Sequence, residues 1–295
     1  MKDQAEKLRI MMQNMRQQVE FEIAGEESPT RIICISSGKG GVGKTNLTLN
    51  LGLALVDYGQ RVLILDADMG MANVDVILGK VPPHNLYHVI RGEKKLSEVI
   101  CKGPKGIGLI SGGSGIVELA NLGAQELDRF IEGLSELDGT VDILLIDTGA
   151  GISKNVLSYI YAADELIVVT TPEPTAITDA YGLIKSVEMV QKKKPISLVV
   201  NKIENEKEGN DVSQKLLIAS KKFLNRELNV MGYIPDDPVV SKSVKIQKPF
   251  YLHYENSSAS LAISRLAANL CNVAVKADNK GTLSRLFGRM KSFFG

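Results

Sequence analysis

The sequence predicts an α/β fold in which a doubly wound, mostly parallel sheet carries helices on both faces. Short runs rich in Val and Ile recur along the chain, and their near-continuous apolarity is typical of strands that helices cover on both sides. Longer amphipathic stretches separate these runs, as in βαβ units. A glycine-rich segment directly follows the first run, where a parallel sheet binds its ligands.

The predicted strands and helices alternate along the chain. The strands cover residues 31–36, 61–68, 106–111, 141–147, 165–171, 196–202 and 229–235. The helices cover residues 44–58, 124–137, 153–162, 176–193, 208–227 and 257–275. Because helices separate most neighbouring strands, we expect the strands to run parallel and to end at one edge of the sheet.

The composition excludes several classes of protein. With 44% hydrophobic and 23% charged residues, the 295-residue chain is typical of a globular protein. Its 35 basic and 34 acidic side chains leave a formal charge of +1, which a dedicated nucleic-acid binder would exceed. Cys34, Cys101 and Cys271 lie too far apart for a disulfide framework or a metal-binding spacing, and they fit a reducing cytoplasm. Neither a signal peptide nor a transmembrane helix is expected.

A phosphate-binding loop is the most specific motif in the sequence. Residues 37–45, SGKGGVGKT, match the pattern GxxxxGK[ST] between the first strand and the first helix. The glycines let backbone N–H groups form a nest for phosphate oxygens, and the helix adds its positive dipole end. Lys44 is expected to neutralise the β- and γ-phosphates, and Thr45 to bind Mg²⁺. The loop residues predicted to bind the nucleotide are Gly38, Lys39, Gly40, Gly41, Val42, Gly43, Lys44 and Thr45.

A second lysine, Lys39, lies inside this loop, where no phosphate role within the chain is left for it. Its flanking glycines would let it project away from its own nucleotide, to stabilise the γ-phosphate of a neighbouring subunit as arginine fingers do. The string KGGVGKT with this lysine resembles the deviant Walker A box of the MinD/ParA family. The resemblance implies a P-loop ATPase that binds ATP and Mg²⁺ and forms a face-to-face, ATP-dependent homodimer.

Acidic residues end two of the predicted strands. Asp66 and Asp68 close the second run, and Asp147 closes the fourth, ahead of the glycine-containing turn 149–151. Carboxylates beside a P-loop can hold a metal ion or the attacking water. Similarity to the family's switch I implies that Asp68 orients this water and that Asp66 supports it, and Asp147 has the position of a Walker B aspartate. The predicted catalytic residues are Lys39, Lys44 and Asp68, and the predicted Mg²⁺ ligands are Thr45, Asp68 and Asp147.

Residues at the ends of the last two strands suit a purine base. The amide of Asn201 can both donate and accept hydrogen bonds. With Lys202 it begins the sequence NKIE, which differs from the guanine signature NKxD by the longer side chain of Glu204 and therefore favours ATP over GTP. Residues 234–238, IPDDP, resemble a family segment that surrounds adenine, although they would be equally ordinary as a turn. The predicted adenine-binding residues are Asn201, Lys202, Pro235 and Asp236.

The N-terminal residues 3–20 predict an amphipathic helix ahead of a polar linker. Its apolar stripe comprises Leu8, Met11, Met12, Met15 and Val19. Such a stripe is equally suited to packing on its own domain and to binding a partner. The sequence DQA at residues 3–5, followed by Leu8-Arg9, resembles the DQAxxLR motif of the FlhG family, also called FleN or YlxH. These MinD-like ATPases control flagellar number and placement, and the motif stimulates their partner GTPase, FlhF. The resemblance implies partner contacts by Gln4, Leu8 and Arg9, and further contacts with flagellar switch proteins.

The C-terminal residues 282–295, TLSRLFGRMKSFFG, predict a second amphipathic helix with one basic side. Its length of about 22 Å is too short to cross a bilayer core of about 30 Å, but it suits the interface of an anionic membrane. MinD proteins end similarly, although a terminal helix packed on its domain is the alternative. The residues predicted to meet the membrane are Leu283, Leu286, Phe287, Met290, Phe293 and Phe294.

These features predict three regions: a partner-activating helix and linker at 1–29, a P-loop ATPase domain at 30–275, and a linker and membrane-targeting helix at 276–295. The expected activity is weak hydrolysis of ATP to ADP and phosphate, stimulated by dimerisation or by a partner. The expected location is cytoplasmic and peripheral at the inner face of the cell membrane. The alternative is a ParA-like DNA-partitioning ATPase, which would need a basic patch that the 26 basic and 27 acidic side chains of residues 28–275 do not indicate.

Overall fold

β-Strands form the central layer of the protein. The computed structural model describes residues 7–16, 18, 30–68, 82–112, 139–192 and 194–272, with residues 286, 289, 290, 292 and 293. Within them the strands are β1 (Arg31–Ser37), β2 (Val62–Ala67), β3 (Cys101–Lys102), β4 (Gly108–Ser111), β5 (Ile143–Ala150), β6 (Glu165–Thr170), β7 (Ile196–Ile203) and β8 (Asn229–Pro235). They form one sheet in the order β3-β4-β2-β5-β1-β6-β7-β8.

Helices connect and cover these strands. In the same residues they are α1 (Lys44–Asp57), α2 (Leu86–Ile90), α3 (Leu96–Val99), α4 (Lys154–Ala162), α5 (Pro174–Val190), α6 (Glu206–Leu224), α7 (Pro238–Lys245), α8 (Phe250–His253) and α9 (Ser258–Asn272). Residues 7–16 and 18 are also helical and are called the N-terminal helix. Residues 286, 289, 290, 292 and 293 are helical and are called the C-terminal helix. The helix predicted at 124–137 lies outside the described residues.

The strand pairing confirms the predicted doubly wound sheet. β1 lies in parallel between β5 and β6, and β2, β4, β7 and β8 extend the sheet with further parallel pairs. β3 is antiparallel to β4 and was not predicted, because two residues carry no recognisable periodicity. The four-residue helices α3 and α8 escaped prediction for the same reason. α7 was also not predicted. It begins at Pro238, in a stretch whose prolines and aspartates are typical of a turn.

Apolar cores lie on both faces of the sheet. Along β1, Ile32 and Cys34 belong to one core with residues of α4 and α5, whereas Ile33 and Ile35 belong to a second core with residues of α1 and α9. All four side chains are fully buried. Successive side chains of a strand point to opposite faces, so a strand covered on both faces must be apolar throughout. This explains the continuous apolar runs in the sequence.

Lys194 is a buried cation beside the start of β6. It is only 3% exposed, and its Nζ donates a hydrogen bond to the carbonyl of Ala163. Burial lowers the pKa of Lys194 to about 8, because the charged form loses its water. The ammonium of Lys194 therefore holds its proton more tightly in the unfolded chain than in the folded chain. Raising the pH through 8 stabilises the folded state, since its cost of burying the charge disappears.

We expect the Lys194→Met variant to lose this pH dependence. In the wild type, the lysine should add about 2 kcal/mol to the free energy of unfolding between about pH 7 and about pH 9.5. Denaturant unfolding at both pH values measures the difference between wild type and variant. Lys192→Met is the matched control, because Lys192 is exposed two residues away. Equal pH dependence in the wild type and in Lys194→Met would show that the lysine is not desolvated.

The N-terminal helix packs on the end of α1 through a face that differs from the predicted stripe. Ile10 and Asn14 are buried, and the Nδ2 atom of Asn14 donates to the carbonyl of Tyr58 at 2.8 Å. The Nε2 atom of Gln18 donates to the carbonyl of Gly59 at 3.1 Å. The carbonyls at the end of a helix lack partners within it, so polar side chains bind here better than methionine would.

The predicted apolar stripe of this helix instead faces solvent. Leu8, Met12 and Met15 are 58%, 63% and 49% exposed, and Arg9 is exposed beside them. Packing through Ile10 and Asn14 and display of Leu8 and Met12 therefore occur together on different faces of one helix, while Met11 and Met15 border Gly59 of the domain. Met11 is half-buried, whereas Gln4 and Val19 lie outside the described residues.

The C-terminal helix packs on the domain near the end of α4. Leu286 and Met290 are buried in the core that contains α4 and α5. The ring centroid of Phe293 lies 5.6 Å from that of Tyr161, and Arg289 Nη1 donates to the carbonyl of Ala162 at 3.3 Å. Two residues of the predicted membrane face, Leu286 and Met290, are thus covered by the protein itself, as in the alternative interpretation of the sequence. Leu283, Phe287 and Phe294 lie outside the described residues. In the part of the chain that the structure describes, none of the helices combines the length and apolarity that spanning a membrane requires.

Candidate nucleotide-binding site

The phosphate-binding loop joins β1 to α1, as its sequence predicts. Gly43 precedes Lys44, the first residue of α1, and has φ 96°, a left-handed conformation that favours glycine. A Cβ atom at Gly43 would lie 2.4 Å from Asn201 Nδ2, so a larger residue would collide with β7. Lys44 is 8% exposed, which places its ammonium beneath the loop rather than in solvent. The first N–H groups of α1 lie directly behind the loop, and they give it the positive end of the helix.

The start of the loop is pressed against α5. A Cβ atom at Gly38 would lie only 2.1 Å from the carbonyl oxygen of Asp179, which belongs to the backbone of that helix. A backbone atom cannot move aside as a flexible side chain can. Glycine at this position therefore lets the loop approach α5, which the loop motif alone does not reveal.

The second lysine of the loop is held by its own chain. Lys39 Nζ lies 2.7 Å from Glu173 Oε2 and 2.8 Å from Thr175 Oγ1, at the start of α5. In the single chain Lys39 is thus paired with α5, and its predicted role across a dimer stays a prediction. Its ammonium also lowers the pKa of the exposed Glu173 carboxyl. Glu173 and Thr175 were missed because they lie 134 and 136 residues further along the chain and match no motif.

Asp147 lies beneath the phosphate-binding loop, where it could hold a metal ion. β2 and β5 align Asp147 with Asp66, and Asp147 is fully buried. Its Oδ1 accepts a hydrogen bond from Thr48 at 3.3 Å, and Thr45 also donates to its carboxylate. Its Oδ2 has no partner among the described residues. Thr48 was not among the predicted site residues.

The electrostatics of Asp147 suit a bound cation. Burial raises the pKa of Asp147 to about 6, although Thr45, Thr48 and the ammonium of Lys44 favour its charged form. An unpartnered, desolvated carboxylate oxygen is costly, and a divalent cation would satisfy it. Within the described residues, no group of three or more His, Cys, Asp or Glu side chains could hold a metal ion alone.

Asp68 lies above Asp147, at the carboxyl edge of the sheet. Its backbone N–H donates to Asp66 Oδ1 at 3.2 Å, which ties the two aspartates together as the sequence suggests. A Cβ atom at Gly149 would lie 3.5 Å from Asp68 Oδ1, so this carboxylate stands beside the segment that follows β5. Asp68 is half-exposed and thus accessible to water. The structure places Lys44 at the start of α1, Asp68 just after β2 and Asp147 within β5, close enough for the charges of Lys44 and Asp68 to act on Asp147.

The predicted adenine-binding residues lie next to the loop, where two of them contact its backbone. Asn201 Nδ2 donates to the carbonyl of Val42 at 2.8 Å, and Lys202 Nζ donates to the carbonyl of Gly41 at 3.0 Å. Pro235 ends β8 beside Ile203, and Asp236 is exposed just after it. The structure therefore brings these four residues together. It also shows that Asn201 and Lys202 contact the backbone of the phosphate-binding loop, which the resemblance to a guanine signature did not reveal.

Comparison with known proteins decides the family. The profile of the CobQ/CobB/MinD/ParA nucleotide binding domain matches residues 33–250, which include the loop, all three aspartates and both strands of the base pocket. The chain belongs to the MinD/ParA family.

Two relatives place this MinD/ParA protein beside FleN and YlxH. The antiactivator FleN of Pseudomonas aeruginosa is 37% identical over 266 residues, which are 90% of this chain and 95% of FleN. The flagellum site-determining protein YlxH of Helicobacter pylori is 35% identical over 296 residues, which cover 100% of this chain and 97% of YlxH. The similarity to YlxH thus extends over both terminal helices.

A solved structure of the MinD/ParA family supports the fold. It is the septum site-determining protein MinD of Pyrococcus horikoshii complexed with Mg-ADP, which has 27% sequence identity and a TM-score of 0.64. The alignment covers 81% of this chain and 94% of that protein. The predicted P-loop architecture is therefore confirmed, and that relative holds a magnesium nucleotide.

Proposed function

We propose that this chain is a MinD-like ATPase that dimerises around ATP and regulates flagellar number and placement. One observation carries the proposal: Lys44, Asp68 and Asp147 lie close enough to interact electrostatically, in a chain that matches FleN and YlxH along almost its whole length. The name of YlxH, a flagellum site-determining protein, connects that relative with flagella. These three side chains, together with Lys39 from a second subunit, would supply the chemistry of phosphoryl transfer.

ATP binding rests on the loop and on the ends of β7 and β8. The N–H groups of residues 38–45 and the ammonium of Lys44 would hold the phosphates, while Asn201 and the segment 235–236 would surround the adenine. Mg²⁺ would neutralise charge on the phosphates when bound. The hydroxyl of Thr45, the free Oδ2 of Asp147 and the nearby carboxylate of Asp68 have the oxygen chemistry that suits it.

Hydrolysis would need both subunits. The carboxylate of Asp68 would orient the attacking water, because it lies at the accessible edge of the site above Asp147. Lys39 would leave Glu173 and reach the triphosphate of the second subunit, where its charge stabilises the transition state. Each subunit alone lacks this charge, so the activity of a monomer should be weak and should rise on dimerisation or partner binding.

The two terminal helices would connect the ATPase cycle to partners. Membrane binding requires the C-terminal helix to leave the domain, because Leu286 and Met290 are buried against it. Two released helices on one dimer would bind an anionic membrane more tightly than one. At the other end, Leu8 and Arg9 are accessible to a partner GTPase of the FlhF type, although the N-terminal helix is packed on α1. Flagellar switch proteins are the further partners that the FleN and YlxH relationship suggests.

The direct test combines gel filtration with flotation on anionic vesicles, using the full chain with Mg²⁺ and either ATP or ADP. We expect ATP, but not ADP, to produce a dimer that floats with the vesicles. The Met290→Glu variant should dimerise but float several-fold less, because a charge on the apolar face opposes insertion. Ser292→Glu is the matched control, since Ser292 is exposed.

Two outcomes would contradict the proposal. A chain that binds ATP and stays monomeric would exclude the dimer switch. ATP-dependent binding to nonspecific DNA at a stated salt concentration, without flotation, would favour the DNA-partitioning ATPase instead.

A further inference from the structure

The tip of the phosphate-binding loop has little support of its own. A Cβ atom built on Gly40 or Gly41 would meet no other atom within 4 Å, so no neighbouring element packs around this part of the backbone. Two side chains from the end of β7 nevertheless reach it. Lys202 Nζ donates to the carbonyl of Gly41, and Asn201 Nδ2 donates to the carbonyl of Val42. Two consecutive carbonyls of the loop are thus hydrogen-bonded to the end of β7.

These two hydrogen bonds bear on the direction of the loop's N–H groups. In a planar trans peptide, the C=O and the N–H point to opposite sides. Holding the carbonyls of Gly41 and Val42 towards β7 therefore turns the N–H groups of Val42 and Gly43 away from β7. A phosphate nest consists of successive N–H groups that point to one side without rearrangement. The contacts from β7 supply this orientation before any phosphate arrives.

The backbone of Lys202 is shaped for this contact. Lys202 has φ 57°, a left-handed conformation that is strained for a non-glycine residue. The register between β7 and β8 also shifts between Asn201 and Ile203, which is an irregularity that redirects the side chain between them. Strain of this kind persists where surrounding structure holds it, and it is concentrated at functional sites.

From these observations we propose that Lys202 is a positioning residue for the phosphate nest and not a contact to the base. Together with Asn201 it holds the loop in its phosphate-binding conformation from the outer side. The inference rests on the proposed binding of ATP and adds a role that the family motif does not assign to this lysine. It predicts that Lys202 affects every polyphosphate ligand, whether or not the ligand carries a base.

Calorimetric titration of the full chain with ATP and with inorganic tripolyphosphate tests the proposal. We expect Lys202→Met to lower the affinity for both ligands about tenfold, since a hydrogen bond from a charged donor is lost and the loop is freed. Lys202→Arg, which can still donate to Gly41, should recover part of the affinity. Lys202→Gly removes the strain together with the amine, so it should bind both ligands as weakly as Lys202→Met while unfolding at a higher denaturant concentration.

Lys207→Met controls for the loss of charge, because Lys207 is exposed in the first turn of α6, five residues further on. It should bind both ligands within about twofold of the wild type. If Lys207→Met and Lys202→Met lose the same affinity, the effect is due to net charge alone. If Lys202→Met binds tripolyphosphate as tightly as the wild type, Lys202 contacts the base and not the loop. Either result overturns the inference. A wild-type chain that binds neither ligand would instead remove the proposed function.

Discussion

Replacing Lys39 by Ala should lower ATP hydrolysis at saturating ATP and protein by about 10³-fold or more, while the affinity for ATP changes little. Cationic fingers that act from a neighbouring subunit contribute about 10³–10⁵ to the rate of phosphoryl transfer. The structure shows why binding should survive. Lys39 Nζ contacts Glu173 and Thr175, whereas Lys44 is the lysine buried beneath the loop. Steady-state hydrolysis and calorimetry with a slowly hydrolysed ATP analogue separate the two effects.

Glu173→Gln is the matched control for this variant. It breaks the ion pair at 2.7 Å but keeps the lysine, so hydrolysis should remain within a few-fold of the wild type. Glu173 is 61% exposed, so solvent screens this ion pair and its loss should change the stability little. A Lys39→Ala chain that no longer binds ATP would place this lysine on its own nucleotide and would contradict the exchange between subunits.

Replacing Asp68 by Ala should abolish hydrolysis almost completely but preserve the ATP-bound dimer. Residues that position or deprotonate an attacking water contribute about 10²–10⁴ to the rate. Asp68 lies outside the core, since it is half-exposed beside Gly149 at the end of the sheet. Light scattering after gel filtration with ATP should therefore detect a long-lived dimer in the variant, whereas the wild-type dimer decays as ATP is consumed.

Asp211→Ala serves as the control for the removal of a carboxylate, because Asp211 is exposed on α6. It should behave as the wild type in both assays. If Asp68→Ala binds ATP yet elutes as a monomer, Asp68 is needed for dimerisation, and its assignment as the water-orienting residue is wrong. Unchanged hydrolysis in Asp68→Ala would reject the assignment directly.

The amphipathic sequences of the two terminal segments predict that both form helices. They do not predict which face of each helix packs on the domain. Both helices were predicted from periodicity, and the described residues of both are helical. The sequence left open whether each packs on the domain. The N-terminal helix packs through Ile10 and Asn14 and displays Leu8 and Met12, whereas the C-terminal helix buries Leu286 and Met290. Which face is buried depends on the surface that receives it, and only the folded domain provides that surface.

Local sequence was sufficient for the seven main strands and for the loop. Their signals are short-range: a continuous apolar run identifies a strand covered on both faces, and GxxxxGK[ST] defines its own backbone geometry. The strand β3 and the helices α3 and α8 carry too few residues for any periodic pattern. The positions of Asp66 and Asp147 at the same edge also followed from the sequence, because parallel strands end at one edge.

The sequence by itself thus determined the sheet, the phosphate-binding loop and the identity of the charged groups around it. Tertiary structure alone decided what each charged group touches. Glu173 meets Lys39 and Lys202 meets Gly41 across 134 and 161 residues of chain. No local pattern encodes such pairs, because they arise only when the sheet brings distant strand ends together. An ammonium then binds the acceptor that the fold places within its reach.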